Sequence, residues 1–178
     1  SAGKLVFAGY SAGSIGLGFN SDLIKKYKNP KVITDSFWLD TESRKEREKW
    51  TKGPWVQINK FLFSSMPKHC KGHWSACFPQ KTKFNSMGIK NVFPIWNIGD
   101  PYIKGDMGKV KKSIISDIKY YDAGFTINAK AMKIKGFEEW GHVITANKHY
   151  TQKFDGVSVK MLIENWLDNS GQTLLVKH

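Results

Sequence analysis

The chain has 178 residues, 40% of them apolar and 13% aromatic, which is a globular composition with enough length for one domain with a buried core. That excludes a disordered chain, and no apolar run is long enough to cross a bilayer, so no transmembrane segment is expected. The net charge is +13, from 28 Lys and Arg against 15 Asp and Glu. The lysines are scattered rather than massed in a stripe and no nucleic-acid motif accompanies them, so no nucleic-acid partner is expected. An acidic polysaccharide or another anionic surface is an equally good electrostatic partner for the charge, and a missing acidic portion of the protein could also balance it.

In chain order, residues 1–10 read as a strand built on the apolar run Leu5-Val6-Phe7-Ala8. Residues 12–28 read as one helix, small at its start (Ala12, Gly13, Ser14, Gly16, Gly18) and basic at its end (Lys25, Lys26, Lys28), where cations suit the helix dipole. Asn29-Pro30 stops it. Residues 31–35 are a second strand of the buried type. Residues 41–50 are charged with helical promise. Residues 53–67 space Trp55, Ile58, Phe61, Leu62 and Phe63 as a helix does, and core packing accounts for those aromatics.

A third strand spans residues 88–98 and ends in Gly99-Asp100-Pro101. Residues 107–121 form a basic amphipathic helix with Val110, Ile114, Ile115 and Ile118 on one side. A fourth strand is drawn over residues 129–136, and a last helix over 156–169. Four strands alternating with helices predict an α/β fold, a mostly parallel sheet flanked by helices in one domain.

Two cysteines, Cys70 and Cys77, lie close together in CKGHWSAC. With His69 and His73 they make four potential ligands, but the spacing fits no standard zinc pattern, so no metal and no cofactor are expected. A local disulfide in a secreted protein is the preferred reading.

The stretch that carries chemistry is Gly9-Tyr10-Ser11-Ala12-Gly13, a G-x-S-x-G between a strand and a helix. That context describes a nucleophile elbow, a strained turn that exposes a serine hydroxyl at the head of a helix. The flanking glycines are expected to be there because a side chain at either would clash. The N–H of Ala12 is expected to face a developing oxyanion. A base and an acid are needed downstream, because a free serine is a poor nucleophile near neutral pH. The order Ser11, Asp100, His142 is the nucleophile, acid, base order of an α/β-hydrolase. Asp100 follows the third strand, at the sheet edge where open α/β sheets place their sites. His142 is expected directly after the last strand before the final helix. Asp106 is a rival acid and His149 a rival base. Glu138 and Glu139 lie near His142, but the chain order argues against them as the acid.

These residues resemble the pectin acetylesterase/Notum family of serine esterases. Ser11-Ala12-Gly13-Ser14-Ile15-Gly16 followed by Asn20-Ser21-Asp22 is similar to that family's SAG-G-x-G-x-x-x-N-x-D signature. Thr34-Asp35-Ser36-Phe37-Trp38-Leu39-Asp40 resembles its Asp-Ser-Gly-x-x-x-Asp block. Cys70, Trp74 and Cys77 resemble its Trp-x-Cys loop, where the cysteines are paired. Residues 92–100 resemble its penultimate strand and acid, and Gly141-His142-Val143-Ile144 its His-x-Ile base segment. Ser14 and Phe37 stand where the family has glycine. The resemblance implies Ser11, Asp100 and His142 as the triad of a secreted carboxylic-ester hydrolase without a metal.

In an α/β-hydrolase the nucleophile follows the fifth strand, whereas here it is residue 11. The chain is therefore expected to be the C-terminal part of such a domain, with the first strands absent and a missing N-terminal half as its partner. The glycine-rich loop that supplies a second oxyanion donor would lie in that half. The expected substrate is an acylated glycan, with removal of acetyl from a carbohydrate such as pectin put first. The alternatives are removal of a fatty acyl group from a lipidated protein, and a non-catalytic secreted binding module on the same scaffold.

Overall fold

The structure is a computed structural model, and it describes residues 4–36, 88–100, 107–118, 121–129, 131–134 and 142–177. The order of elements is β1 (Val6–Tyr10), α1 (Ala12–Phe19), α2 (Ser21–Ile24), β2 (Lys31–Asp35), β3 (Asn91–Asn97), α3 (Met107–Ile118) and β4 (Gly124–Ile127), then two single 3-10 turns (Ile144–Ala146 and Lys148–Tyr150), α4 (Val159–Asp168) and β5 (Leu174–Lys177). The five strands form one sheet in the order β1-β2-β3-β4-β5, and every neighbouring pair is parallel. The expected α/β class with a parallel sheet is what the chain adopts.

Burial explains the pairing. A parallel sheet covered on both faces needs apolar residues pointing both ways. In β3, Val92 and Trp96 join one core while Phe93 and Ile95 join the other. In β2 the same split separates Val32 from Ile33, and in β5 it separates Leu174 and Val176 from Leu175. Helix α4 covers one face with Val159, Leu162, Ile163 and Trp166, a helical stripe whose Trp166 ring stands 5.4 Å from that of Phe93. Ile114, Ile115 and Ile118 of α3 and Ile24 of α2 cover the other. The cap of α4 is conventional: the Ser158 hydroxyl accepts the Met161 N–H at 3.2 Å, and Asn169 ends the helix in the left-handed region at φ 55°.

Three sequence expectations need correction. The fourth strand is not 129–136 but Gly124–Ile127, and the described residues just after it form a turn. There Ala131 N–H bonds the Asn128 side chain, Met132 N–H bonds the Asn128 carbonyl, and Lys133 takes φ 51°. The lysine–apolar alternation of that stretch has a strand's period in a turn's geometry. His142 does come after the last strand before the final helix, but not directly after it, and a further strand, β5, follows α4. The single helix over 12–28 is two, because Asn20 ends α1: its N–H and its side-chain amide both bond the Gly16 carbonyl, at 3.0 and 2.8 Å. The readings on 41–50, 53–67, Cys70 and Cys77, His69, His73, Trp74, Phe37 and Asp40 lie outside the described residues.

Candidate active site

Parallel strands put all their C-terminal ends on one edge of a sheet, and the sequence places its polar residues there. β1 ends in Tyr10 and gives way to Ser11. β2 ends in Asp35 and gives way to Ser36. β3 ends in Asn97, three residues before Asp100.

Ser11 sits at φ 48°, ψ −119°, a region that non-glycine residues rarely occupy. Its N–H donates to the Asp35 carbonyl at 2.9 Å, extending the β1–β2 ladder by one residue, and the chain then turns at once into α1. Among the described residues the turn demands glycine at one flank only. A Cβ on Gly9 would lie 2.6 Å from the carbonyl carbon and oxygen of Gly13, whereas a Cβ on Gly13 would meet nothing within 4 Å among the described residues. Of the clashes expected at both flanks, the described residues supply the one at Gly9. Ser14 is buried one turn on, and its hydroxyl donates to the Gly9 carbonyl at 2.7 Å and to the Asp35 carbonyl at 3.2 Å. It ties the strand before the elbow to the helix after it.

Ser11, His142 and Asp100 meet, although 131 and 42 residues of chain separate His142 from the other two. Nε2 of His142 is 2.8 Å from Oγ of Ser11, and Nδ1 is 2.7 Å from Oδ2 of Asp100. A carboxylate accepts only, so Nδ1 carries the proton in that contact and Nε2 is left to accept the serine O–H. The Asp100 side chain is 1% exposed and that of His142 is 18% exposed. Asp100 is sealed off while His142 reaches solvent. Asp100 is itself held by a tight turn in which its N–H bonds the Asn97 carbonyl at 3.0 Å. The Asn97 side-chain oxygen accepts from Gly99 N–H at 3.0 Å and from Ala129 N–H at 3.2 Å, which joins the loop after β3 to the one after β4.

The loop bearing His142 is held by groups that motif reasoning leaves without a role. Ser36 Oγ accepts the Val143 N–H at 2.6 Å and donates to Asp35 Oδ1 at 2.7 Å. Asp35 Oδ2 accepts from both the N–H and the hydroxyl of Thr145, each at 2.6 Å. The Asn147 amide donates to the Val143 carbonyl at 2.8 Å. The sequence marks Asp35 and Ser36 only as part of the Asp-Ser block quoted above, with no role attached to either.

The rival base His149 is fully buried, with Nδ1 2.6 Å from the Gln152 side-chain oxygen, and it takes no part in the Ser11 contact. The rivals Asp106, Glu138 and Glu139 lie outside the described residues. Ala12 opens α1, so its N–H is among the first-turn amides that a helix leaves without an intrahelical acceptor. Among the described residues no group of three or more His, Cys, Asp or Glu is placed to hold a metal ion, and no helix is long and apolar enough to cross a membrane.

No family model matches the chain, and no curated protein and no solved structure matches it.

Proposed function

We propose that the protein is a serine carboxylesterase on an α/β-hydrolase scaffold that removes a small acyl group, acetyl foremost, from an acidic carbohydrate. The observation that carries the reading is the hydrogen-bonded chain from Ser11 through His142 to Asp100, with the serine in a strained strand-to-helix turn. The resemblance of the sequence to pectin acetylesterases and Notum points the same way. The net charge of +13 favours an anionic glycan, and export with a Cys70–Cys77 disulfide accords with such a substrate.

In this reading Ser11 Oγ attacks the ester carbonyl while His142 Nε2 takes its proton. The carbonyl oxygen becomes an oxyanion facing the Ala12 N–H at the positive end of α1. Asp100 keeps the proton of the imidazole on Nδ1 and stabilises the imidazolium. His142 then gives its proton to the departing sugar hydroxyl, leaving the acyl group on Ser11. Water, activated by the same imidazole, releases the acid. Removing one oxyanion donor typically costs ~10²–10³ in rate, so a second donor matters. The outer edge of β1 is open among the described residues.

The test uses a fluorophosphonate probe and p-nitrophenyl esters of rising chain length on the full protein and its Ser11→Ala variant. The reading expects labelling and hydrolysis in the parent only, fastest on acetate. A preference for long chains would replace the deacetylase with a fatty-acyl deacylase. A parent as inert as Ser11→Ala on probe and esters would overturn the esterase and favour a binding module.

A further inference from the structure

We infer that Asp35 and Ser36 are positioning residues for His142, holding the backbone on its C-terminal side in the one conformation that aims the imidazole at Ser11. The inference rests on the esterase reading for its kinetic consequences and on geometry for its mechanism.

Val143, the residue after His142, has φ 59° and ψ 68°. That left-handed conformation is a true outlier for a β-branched residue and persists only where the surroundings impose it. Ser36 imposes it from one side by accepting the Val143 N–H, and Asn147 from the other by donating to the Val143 carbonyl. Two residues on, Thr145 gives both its N–H and its hydroxyl to Asp35. Ile144, between these two anchors, is fully buried in the core. The loop is therefore pinned at 143, 144 and 145, and His142 follows from that frame.

The clamp is rigid at its other end as well. Asp35 is 1% exposed and pairs with Tyr10 in β1 and Ile95 in β3. The Ser36 N–H donates to the Ile95 carbonyl at 2.9 Å, and Ser36 itself stands at φ 55°. Asp35 thus acts twice. Its carbonyl oxygen accepts the N–H of the nucleophile Ser11, and its carboxylate holds the loop of the base. One residue sets the distance between Ser11 and His142.

Neither residue touches the reacting atoms, so a defect should appear in kcat and leave KM alone. The variants are Ser36→Ala, which strips the acceptor from Val143 N–H, and Thr145→Val, which removes one donor to Asp35 at nearly constant shape. Thr145→Ser restores that donor. A displacement of about 1 Å at a catalytic group is worth on the order of 10²-fold. Ser36→Ala is therefore expected to lose about that factor in kcat and in the rate of fluorophosphonate labelling, with KM within about twofold. Thr145→Val should lose less, and Thr145→Ser should recover it.

A second readout is independent of turnover. The His142 Nδ1–H proton, followed by NMR, should exchange faster with solvent in Ser36→Ala and Thr145→Val, and at the parental rate in Thr145→Ser. Parental kcat and parental exchange in Ser36→Ala would overturn the clamp, as would a Thr145→Ser variant no better than Thr145→Val. If the parent itself fails to label at Ser11, the esterase reading falls and the exchange rates alone decide the clamp. Should Ser36→Ala not fold, the Thr145 pair decides.

Discussion

Gly9 is pressed against Gly13: a Cβ placed on Gly9 would stand 2.6 Å from the Gly13 carbonyl carbon and oxygen and 2.9 Å from the Ser14 nitrogen. These are backbone atoms of a helix start and cannot rotate away. Gly9→Ala is expected to destabilise by about 3 kcal/mol, the upper end for overpacking, and to open the elbow. Gly16 lies mid-helix in α1, and a Cβ there would meet nothing within 4 Å among the described residues. As alanine it should instead gain about 0.5–1 kcal/mol. Urea midpoints of the two variants check the contrast. A tolerated Gly9→Ala would mean that the turn is looser than its geometry.

Ser14 bridges the strand before the turn and the helix after it. Its hydroxyl joins the Gly9 and Asp35 carbonyls across the elbow, a task glycine cannot perform. Ser14→Ala loses the hydroxyl and improves helix propensity, for a net loss of about 1 kcal/mol. Ser14→Gly loses the same bonds and adds backbone freedom, for about 2 kcal/mol. The expected order of stability is therefore serine, alanine, glycine. Glycine equal to or above serine in chemical denaturation would show that the bridge contributes nothing.

The contrast between β3 and β4 shows what is legible in the sequence. Residues 91–97 announce themselves as a buried strand because most of their positions are apolar, with turn residues bounding them. The four residues of β4, Gly-Phe-Thr-Ile, are too few to show a period, and the lysine alternation just after them mimics one. β5 has four residues as well, behind a helix with clear apolar spacing, and is likewise too short to show a period. Ser11, Asp100 and His142 stand out because their residue types and order carry a chemical requirement. Asp35, Ser36, Asn97, Thr145 and Asn147 do not, because their role is geometric. They hold the loops in place by bonds to backbone and to one another, and the bonds that join separate loops, Ser36 to Val143 and Asp35 to Thr145, cross about a hundred residues of chain, which no local spacing encodes.

Asp100→Asn separates charge from shape. The amide is isosteric and can keep a contact with His142 Nδ1 at the observed 2.7 Å. It can also donate, which favours the tautomer with the proton on Nε2, where it cannot accept from Ser11. The expected loss in kcat is on the order of 10⁴-fold near neutral pH, with the fold unchanged. Circular dichroism and ester hydrolysis measured on the same sample check both halves. Activity within about tenfold of the parent would remove Asp100 from the acid role and return attention to the rival carboxylates.

Tyr150 gives the structure a pH dependence away from the site. Burial, and then the charge of Glu164, push its hydroxyl above the ordinary value of 10.0. Both disfavour the phenolate, so the folded state holds this proton more tightly than the unfolded chain does. Its contribution to stability is therefore fully present below the unfolded value and is lost as pH rises through the folded one. Tyr150 packs beside the core under α4, so its ionisation acts on the element that covers one face of the sheet. Tyr150→Phe should follow the parent in parallel from neutral pH to about pH 9, and then lose stability less steeply. Glu164→Gln should fall between the two, since it removes the smaller cause and leaves burial in place. Denaturant unfolding at a series of alkaline pH values measures this, and parallel curves for Tyr150→Phe and parent above about pH 10 would show that the hydroxyl ionises alike in both states.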